Sequence, residues 1–274
     1  MPQPKLSYPQ LVLCERNGLA YYSDEGLYQS LGVRIAFTQR QGGVSSGAYS
    51  SLNLATHVGD DLAMVAENRK RLLAAISAPE ALLLAPNQVH GTEIAVVDAV
   101  DGRQFEQCMA QIGQGADGII VNCENVAALL CFADCMPVIL VAPNGAFAVV
   151  HAGWRGVMAL IVPKALDMLC EHTGALPEEC NAYIGPFIHA ECFEVGAELA
   201  AEFGKAFGGA CVPDERHVDL GCAMRMSLLS KGVDPQRIAD VQVCTACESE
   251  RFFSYRAQDG SCGRHGAIAV RIER

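Results

Sequence analysis

With 274 residues, 51% of them hydrophobic and only 19% charged, the chain can bury a large core and reads as globular over 1–274, as one large domain or two intimate ones. A net charge of −11 excludes a general nucleic-acid or anionic-membrane surface, so any anionic ligand must be met by a local arginine cluster. The opening MPQPKLSYPQ lacks the basic and apolar regions of a secretory leader, and no uncharged apolar run reaches membrane-span length.

Thirteen cysteines, an odd count, then read as reduced thiols of a cytoplasmic protein. Cys123, Cys131, Cys170, Cys211 and Cys222 lie in apolar surroundings and read as small buried hydrophobes.

In chain order, the strand VRIAFTQR leads into the Gly/Ser-rich loop QGGVSSGAYSSLNL. Asp60 or Asp61 caps a predicted helix, LAMVAENRKRLLAAIS, with Leu62, Val65, Leu72 and Ile76 on one stripe. Strands follow at ALLLA and TEIAVVDAV, with the polar break PNQVHG between them. GQGADG, Gly113 to Gly118, matches a dinucleotide-binding pattern by letters, but it precedes the strand GIIVN rather than a helix, so no Rossmann site is assigned. AALLCFA is the next strand. Further on, VMALIVPKALDMLCEHTG is helical, with Pro163 at a kink or restart and Gly174 as its stop. ELAAEFGKAF and DLGCAMRMSLLSKG are helices, and the tail ends in an alternating strand. Strands outnumber simple β-helix-β units and include hairpins, so the fold class reads as α+β with mixed sheets flanked by helices rather than doubly wound.

The chemistry gathers in CFADCMPVILVAPNGAFAVVHAGWRG, residues 131–156, an apolar hairpin turning at Pro143-Asn144-Gly145. A three-residue turn sets Pro137 opposite His151 with Cys135 on the same face, whereas a tighter Asn-Gly turn would shift the register and put Cys135 on the other face. Cys135 is near His151 in either case, and Pro137 is expected to interrupt the pairing. Asp134 and Arg155 sit at the same end. A cysteine beside a histidine suits a nucleophilic thiolate with an imidazole base, or a zinc site with an open position. Zinc needs a third ligand, and His90 in NQVHGTEI is the best candidate. The plain alternative is that His90 and His151 are satisfied polar residues at strand ends. Asp134 suits either acid–base work or a turn.

Cys244-Thr-Ala-Cys247 lacks the second pair of a structural zinc site and reads as packing. Arg40, Arg155, Arg251, Arg256 and Arg264 together suit a phosphate-binding set on an acidic protein.

TQRQGGVSSGAYSSLNLATHVGDD, NQVHGTEI, ADGIIVN, FADCMPVIL, HAGWRG, IGPFIHAECFEV and CTACESERFFSYR…CGRHGAIAV occur in an order that resembles the YfiH, or laccase-domain, family over residues 34–272. Members carry the labels multicopper polyphenol oxidase and purine nucleoside phosphorylase. The resemblance implies a single α+β domain holding zinc through His90, Cys135 and His151, with copper able to take the same site. It implies phosphorolysis of adenosine, inosine, guanosine or methylthioadenosine, with adenosine deamination as a second activity. The partners are then small molecules, with no nucleic acid or membrane. His90, Cys135, His151 and Asp134 become the expected catalytic set. Arg40, Asn53, Arg155 and Arg264, with backbone N–H groups of QGGVSSG, become the expected phosphate and substrate set. Cys262 and His265 depart from the family pattern, where a hydroxyl residue and Gln are expected. A full multicopper oxidase needs more histidines than the seven in this chain. A copper-dependent polyphenol oxidase with one adventitious copper, a cysteine hydrolase and a peptidoglycan precursor editing factor are the rival readings.

Overall fold

The fold is described for residues 6–272 by a computed structural model; the start of the opening segment MPQPKLSYPQ lies outside the described residues. In chain order come β1 (Val12–Arg16), β2 (Leu19–Ser23), α1 (Glu25–Leu31), β3 (Val33–Thr38), α2 (Leu62–Ala75), β4 (Leu82–Leu84), β5 (Ile94–Val97), α3 (Gly102–Gln114) and β6 (Gly118–Val121). Next are β7 (Val126–Phe132), β8 (Met136–Val141), β9 (Phe147–Ala152), α4 (Trp154–Met158) and α5 (Ile161–Thr173). The chain closes with β10 (Asn181–Ile184), α6 (Ala197–Phe207), α7 (Leu220–Ser230), β11 (Ile238–Asp240) and β12 (His265–Arg271).

Two six-stranded mixed sheets form, ordered β1-β2-β3-β12-β7-β4 and β11-β10-β8-β9-β6-β5. Alternation along each strand decides what the sheets cover. In β9, Phe147 and Val149 enter the layer between the sheets, where they meet Ile35 and Phe37 of β3 and Leu130 of β7. Ala148 and Val150 point the other way, onto Val162, Leu166 and Leu169 of α5 and Phe203 of α6. On the opposite side, Leu72 and Leu73 of α2 cover Ala127 and Leu129 of β7 and Ile268 of β12. The result is a helix–sheet–sheet–helix stack. Strands buried on both faces explain why the central segments read as continuous apolar runs.

Asp61 caps α2 by accepting from the Ala63 N–H. Val65, Leu72 and Ile76 are buried as the stripe requires, but Leu62, at the first turn, is exposed. Pro163 lies in the first turn of α5, where its missing N–H costs nothing, so it marks a restart after Leu160 in the left-handed region (φ +56°). The helix α3 departs from the sequence reading: its core-facing Cys108 and Ile112 are too sparse to announce it among polar neighbours. The expectation of reduced thiols fails at Cys211 and Cys222, which are joined as a disulfide with Cα atoms 5.3 Å apart.

Of the two registers the turn allows, the hairpin takes that of the three-residue turn, with Ala142 N–H donating to Ala146 and Pro137 opposite His151. Pro137 does not interrupt β8. Its carbonyl accepts from Gly185, and the His151 N–H is turned away to the Asp117 carbonyl, so no donor is missing across that pair.

Candidate active site

The ends of β7 and β9 and the starts of β6, β8 and β12 meet at one end of the stack, where the inter-sheet layer opens. His151, one residue before the end of β9, shares the inward phase of Phe147 and Val149, and its ring lies 5.4 Å from that of Phe132. Its Nδ1 is 2.8 Å from Oδ1 of the fully buried Asp117. The same carboxylate accepts from the backbone N–H groups of Val89, His90 and Gly91, at 3.2, 3.0 and 2.6 Å. Burial would raise the Asp117 pKa, but the hydrogen bonds from His151, Gly91 and His90 prevail and hold it below the usual value. An ionised acceptor holds one proton of His151 on Nδ1, so Nε2 is the nitrogen that faces the thiol and that could bind a metal once its own proton is displaced. One carboxylate thus orients His151 and folds the turn that presents His90, whose φ is +59°.

Cys135 precedes β8. Its neighbour Asp134, at φ +81°, accepts from the Thr245 hydroxyl at 2.6 Å and the Arg256 N–H at 2.7 Å. Both carboxylate oxygens of Asp134 are therefore used in anchoring the thiol's loop, and its turn role is the one the geometry supports. Cys135 Sγ lies 4.0 Å from His90 Nε2, and the ring of His90 stands edge-on to His151 with centroids 4.8 Å apart. Gly153 closes the site from behind: a Cβ there would come within 3.0 Å of Cys135 Sγ. Burial alone would raise the thiol's pKa, but the positive charge and hydrogen bond of His151, with help from His90, bring it down to about 6. Burial would likewise lower that of His151, but the Cys135 thiolate and Asp117 raise it to about 9. The donor atoms of His90, Cys135 and His151 all lie within 4.8 Å of one another. Two imidazoles, a stabilised thiolate and an acid behind one imidazole fit a three-ligand zinc site that keeps an open position.

Beside these donors lies a cavity of about 420 Å3. Trp154, Phe193 and Tyr255 give it aromatic surface, and Arg155, Arg256 and Arg264 give it charge. The Arg155 guanidinium stacks on Trp154 at 4.3 Å and makes no side-chain hydrogen bond or ion pair among the described residues. Arg256 donates to the carbonyls of Cys192 and Glu194, and Arg264 to those of Cys262 and Gly263.

Two expected ligand contacts are corrected. Arg40 does not line the cavity; it donates to the carbonyls of Ser50 and Ser249 and stacks on Phe253. Asn53 is fully buried, and its Oδ1 accepts from the Arg264 N–H at 2.9 Å, so it positions that arginine from behind. Arg251 binds Tyr22 outside the cavity. The N–H groups of Gly43, Val44 and Ser45 are satisfied within their own loop and by Asn68, which removes them as an anion cradle. Sequence reasoning missed Asp117, which sits inside the rejected GQGADG match. It also missed His57, a cavity-lining imidazole whose pKa burial, Arg264 and Arg69 push down.

Residues 34–272 match the family model described as multi-copper polyphenol oxidoreductase laccase. The chain is 33% identical over 250 residues to purine nucleoside phosphorylase YlmD of Geobacillus stearothermophilus, covering 88% of this chain and 91% of that protein. It is 33% identical over 242 residues to adenosine deaminase RL5 of an unknown prokaryotic organism, covering 84% and 90%. The crystal structure of the Geobacillus YlmD superposes with a TM-score of 0.83 at 31% identity, over 97% of this chain and 99% of that one. The hypothetical protein YfiH of Bacillus licheniformis superposes at 0.82 with 25% identity, over 94% and 98%. Motifs, stacked sheets and relatives agree, and the chain belongs to the multi-copper polyphenol oxidoreductase laccase family, the YfiH or laccase-domain proteins.

Proposed function

We propose that the protein is a zinc-dependent purine nucleoside phosphorylase that also deaminates adenosine. The observation that carries this reading is one cavity in which the His90–Cys135–His151 donors, an uncommitted guanidinium and aromatic faces adjoin. Relatives named purine nucleoside phosphorylase and adenosine deaminase support the same reading. In phosphorolysis a phosphate oxygen bonds to the sugar C1′ while the C1′–N bond breaks and its electron pair leaves with the purine. Adenosine, inosine, guanosine and methylthioadenosine share that bond. Arg155 and Arg264 orient the phosphate, with Asn53 holding the backbone of Arg264. Phe193 and Tyr255 offer aromatic faces to the base. When bound through His90, Cys135 and His151, zinc supplies a Lewis acid with an open position, the positive charge that a departing base or an attacked ring carbon requires.

Copper can take the same three ligands, because copper(II) outranks zinc in intrinsic affinity. Polyphenol oxidation is then a property of the copper-loaded form. A cysteine hydrolase would use the same low thiol pKa of Cys135, but would require neither phosphate nor metal.

The test is base release from a nucleoside panel by zinc-loaded protein, with and without phosphate. Phosphate-dependent release with stoichiometric ribose 1-phosphate is expected. Base release that ignores phosphate, or none from any nucleoside, would overturn the reading.

A further inference from the structure

A second group of donors stands apart from the first. Cys192 lies in the loop after β10, and Cys244 and Cys247 in the loop after β11. Their sulfurs and a carboxylate oxygen of Glu191 all lie within 4.8 Å of one another. Cys192 Sγ is 3.4 Å from Cys247 Sγ, and Cys247 Sγ is 3.7 Å from Glu191 Oε1. A tetrahedral zinc with bonds of about 2.3 Å to sulfur needs ligand atoms about 3.8 Å apart. The His189 N–H points at Cys244 Sγ at 3.3 Å, a donor suited to a thiolate. The C-x-x-C reading as mere packing overlooked this, because Cys192 lies 55 residues before Cys247 in the chain.

We propose that Cys192, Cys244, Cys247 and Glu191 form a structural zinc site with all four positions filled by protein. Its place gives it a purpose. The first loop carries Ile188 and Phe193, and the second runs on to Tyr255 and Arg256, all on the wall of the catalytic cavity. Arg256 already reaches the Cys192 carbonyl, and Thr245, between the two cysteines of the C-x-x-C, donates to Asp134 beside Cys135. A metal here staples the two loops into one wall and steadies the residue next to the catalytic thiol. The inference is independent of the phosphorolysis reading.

The experiment uses the full chain, purified reduced and loaded with zinc or cobalt(II) alone. Zinc content should fall by about one equivalent in Cys192→Ser/Cys247→Ser and, separately, in Cys135→Ser. Cobalt(II) at the three-thiolate site should give most of the near-ultraviolet sulfur charge-transfer absorption. That absorption should vanish in the double variant and persist in Cys135→Ser. Cys247→Ser alone, at an exposed position, repeats the measurement with less risk to folding. Unchanged zinc content and cobalt spectra in the double and single variants would overturn the proposal. So would a Cys192–Cys247 disulfide that dissolved oxygen forms as fast in the zinc-loaded protein as in the metal-free protein.

Discussion

Asp117 shows how much one buried acid can organise. Four donors converge on its two oxygens, three from consecutive backbone N–H groups and one from His151, so its ionised form is well compensated despite full burial. Arg155 is the opposite kind of residue, exposed and with its guanidinium uncommitted. Its planar fork suits two parallel bonds to phosphate, which lysine cannot reproduce. Arg155→Lys should raise the phosphate KM roughly ten- to hundredfold, the loss of about 1.5–3 kcal/mol for a charged hydrogen bond. Ammonia release from adenosine should fall far less, and zinc content should hold. Equal loss of both activities would assign Arg155 to the nucleoside or the fold. The residues named by pattern, His90, Cys135, His151 and Arg155, all line the cavity; the last three were legible because either hairpin turn brings them to one end, whereas His90 was legible only as a polar break between apolar strands. Asp117, by contrast, was hidden because an acid ahead of an apolar strand has no periodic signature. Its meaning comes from Gly91, 26 residues earlier in the chain, and the turn around it, which only the fold brings to it.

At the scale of elements, the joint between α4 and α5 is the clearest strain. Leu160 holds φ +56° and ψ +41° there, and its side chain is 44% exposed, so it gains little packing in return. A non-glycine residue in this region costs roughly 1–2 kcal/mol. Leu160→Gly should therefore stabilise the protein by about 1 kcal/mol and raise Tm by about 2–4 °C, measurable by thermal unfolding. A fall in Tm would mean that the leucine's contacts outweigh its backbone. Caps and breakers made α2 and α5 legible, since Asp61, Pro163 and Gly174 act within a turn of where they stand. The helix α3 was not legible, because its stability comes from Cys108 and Ile112 reaching the inter-sheet core rather than from its own polar sequence. The Gly/Ser-rich loop was misjudged for a related reason. Its polar groups looked available for an anion, yet Asn68 of α2 and Ser51 consume them.

The whole molecule carries a buried cost in acid. His265, at the start of β12, is 1% exposed, packs edge-on to Phe252, and neither ring nitrogen has a hydrogen-bond partner among the described residues. Burial, with Arg264 and Arg40 nearby, pushes its pKa down to about 3 from 6.5. The unfolded chain then takes up a proton below pH 6.5 that the folded chain refuses. Stability is kept above that pH and lost as the pH falls towards 3, at about 1.4 kcal/mol per pH unit. His265→Met should remove that loss. Denaturant unfolding at pH 7.5 and pH 5 should show the variant gaining about 2 kcal/mol on the wild type between the two. Parallel pH profiles would mean that the imidazole is protonated in the fold.

β12 also sits at the centre of its sheet, between β3 and β7, although it follows every other strand in the sequence. During synthesis β3 and β7 must therefore wait, each with an open edge, until nearly all of the chain has left the ribosome. The other sheet is complete once β11 has emerged. The nascent protein thus finishes half its architecture early and leaves a strand-shaped gap in the other half, the interval in which a chaperone would find most to hold.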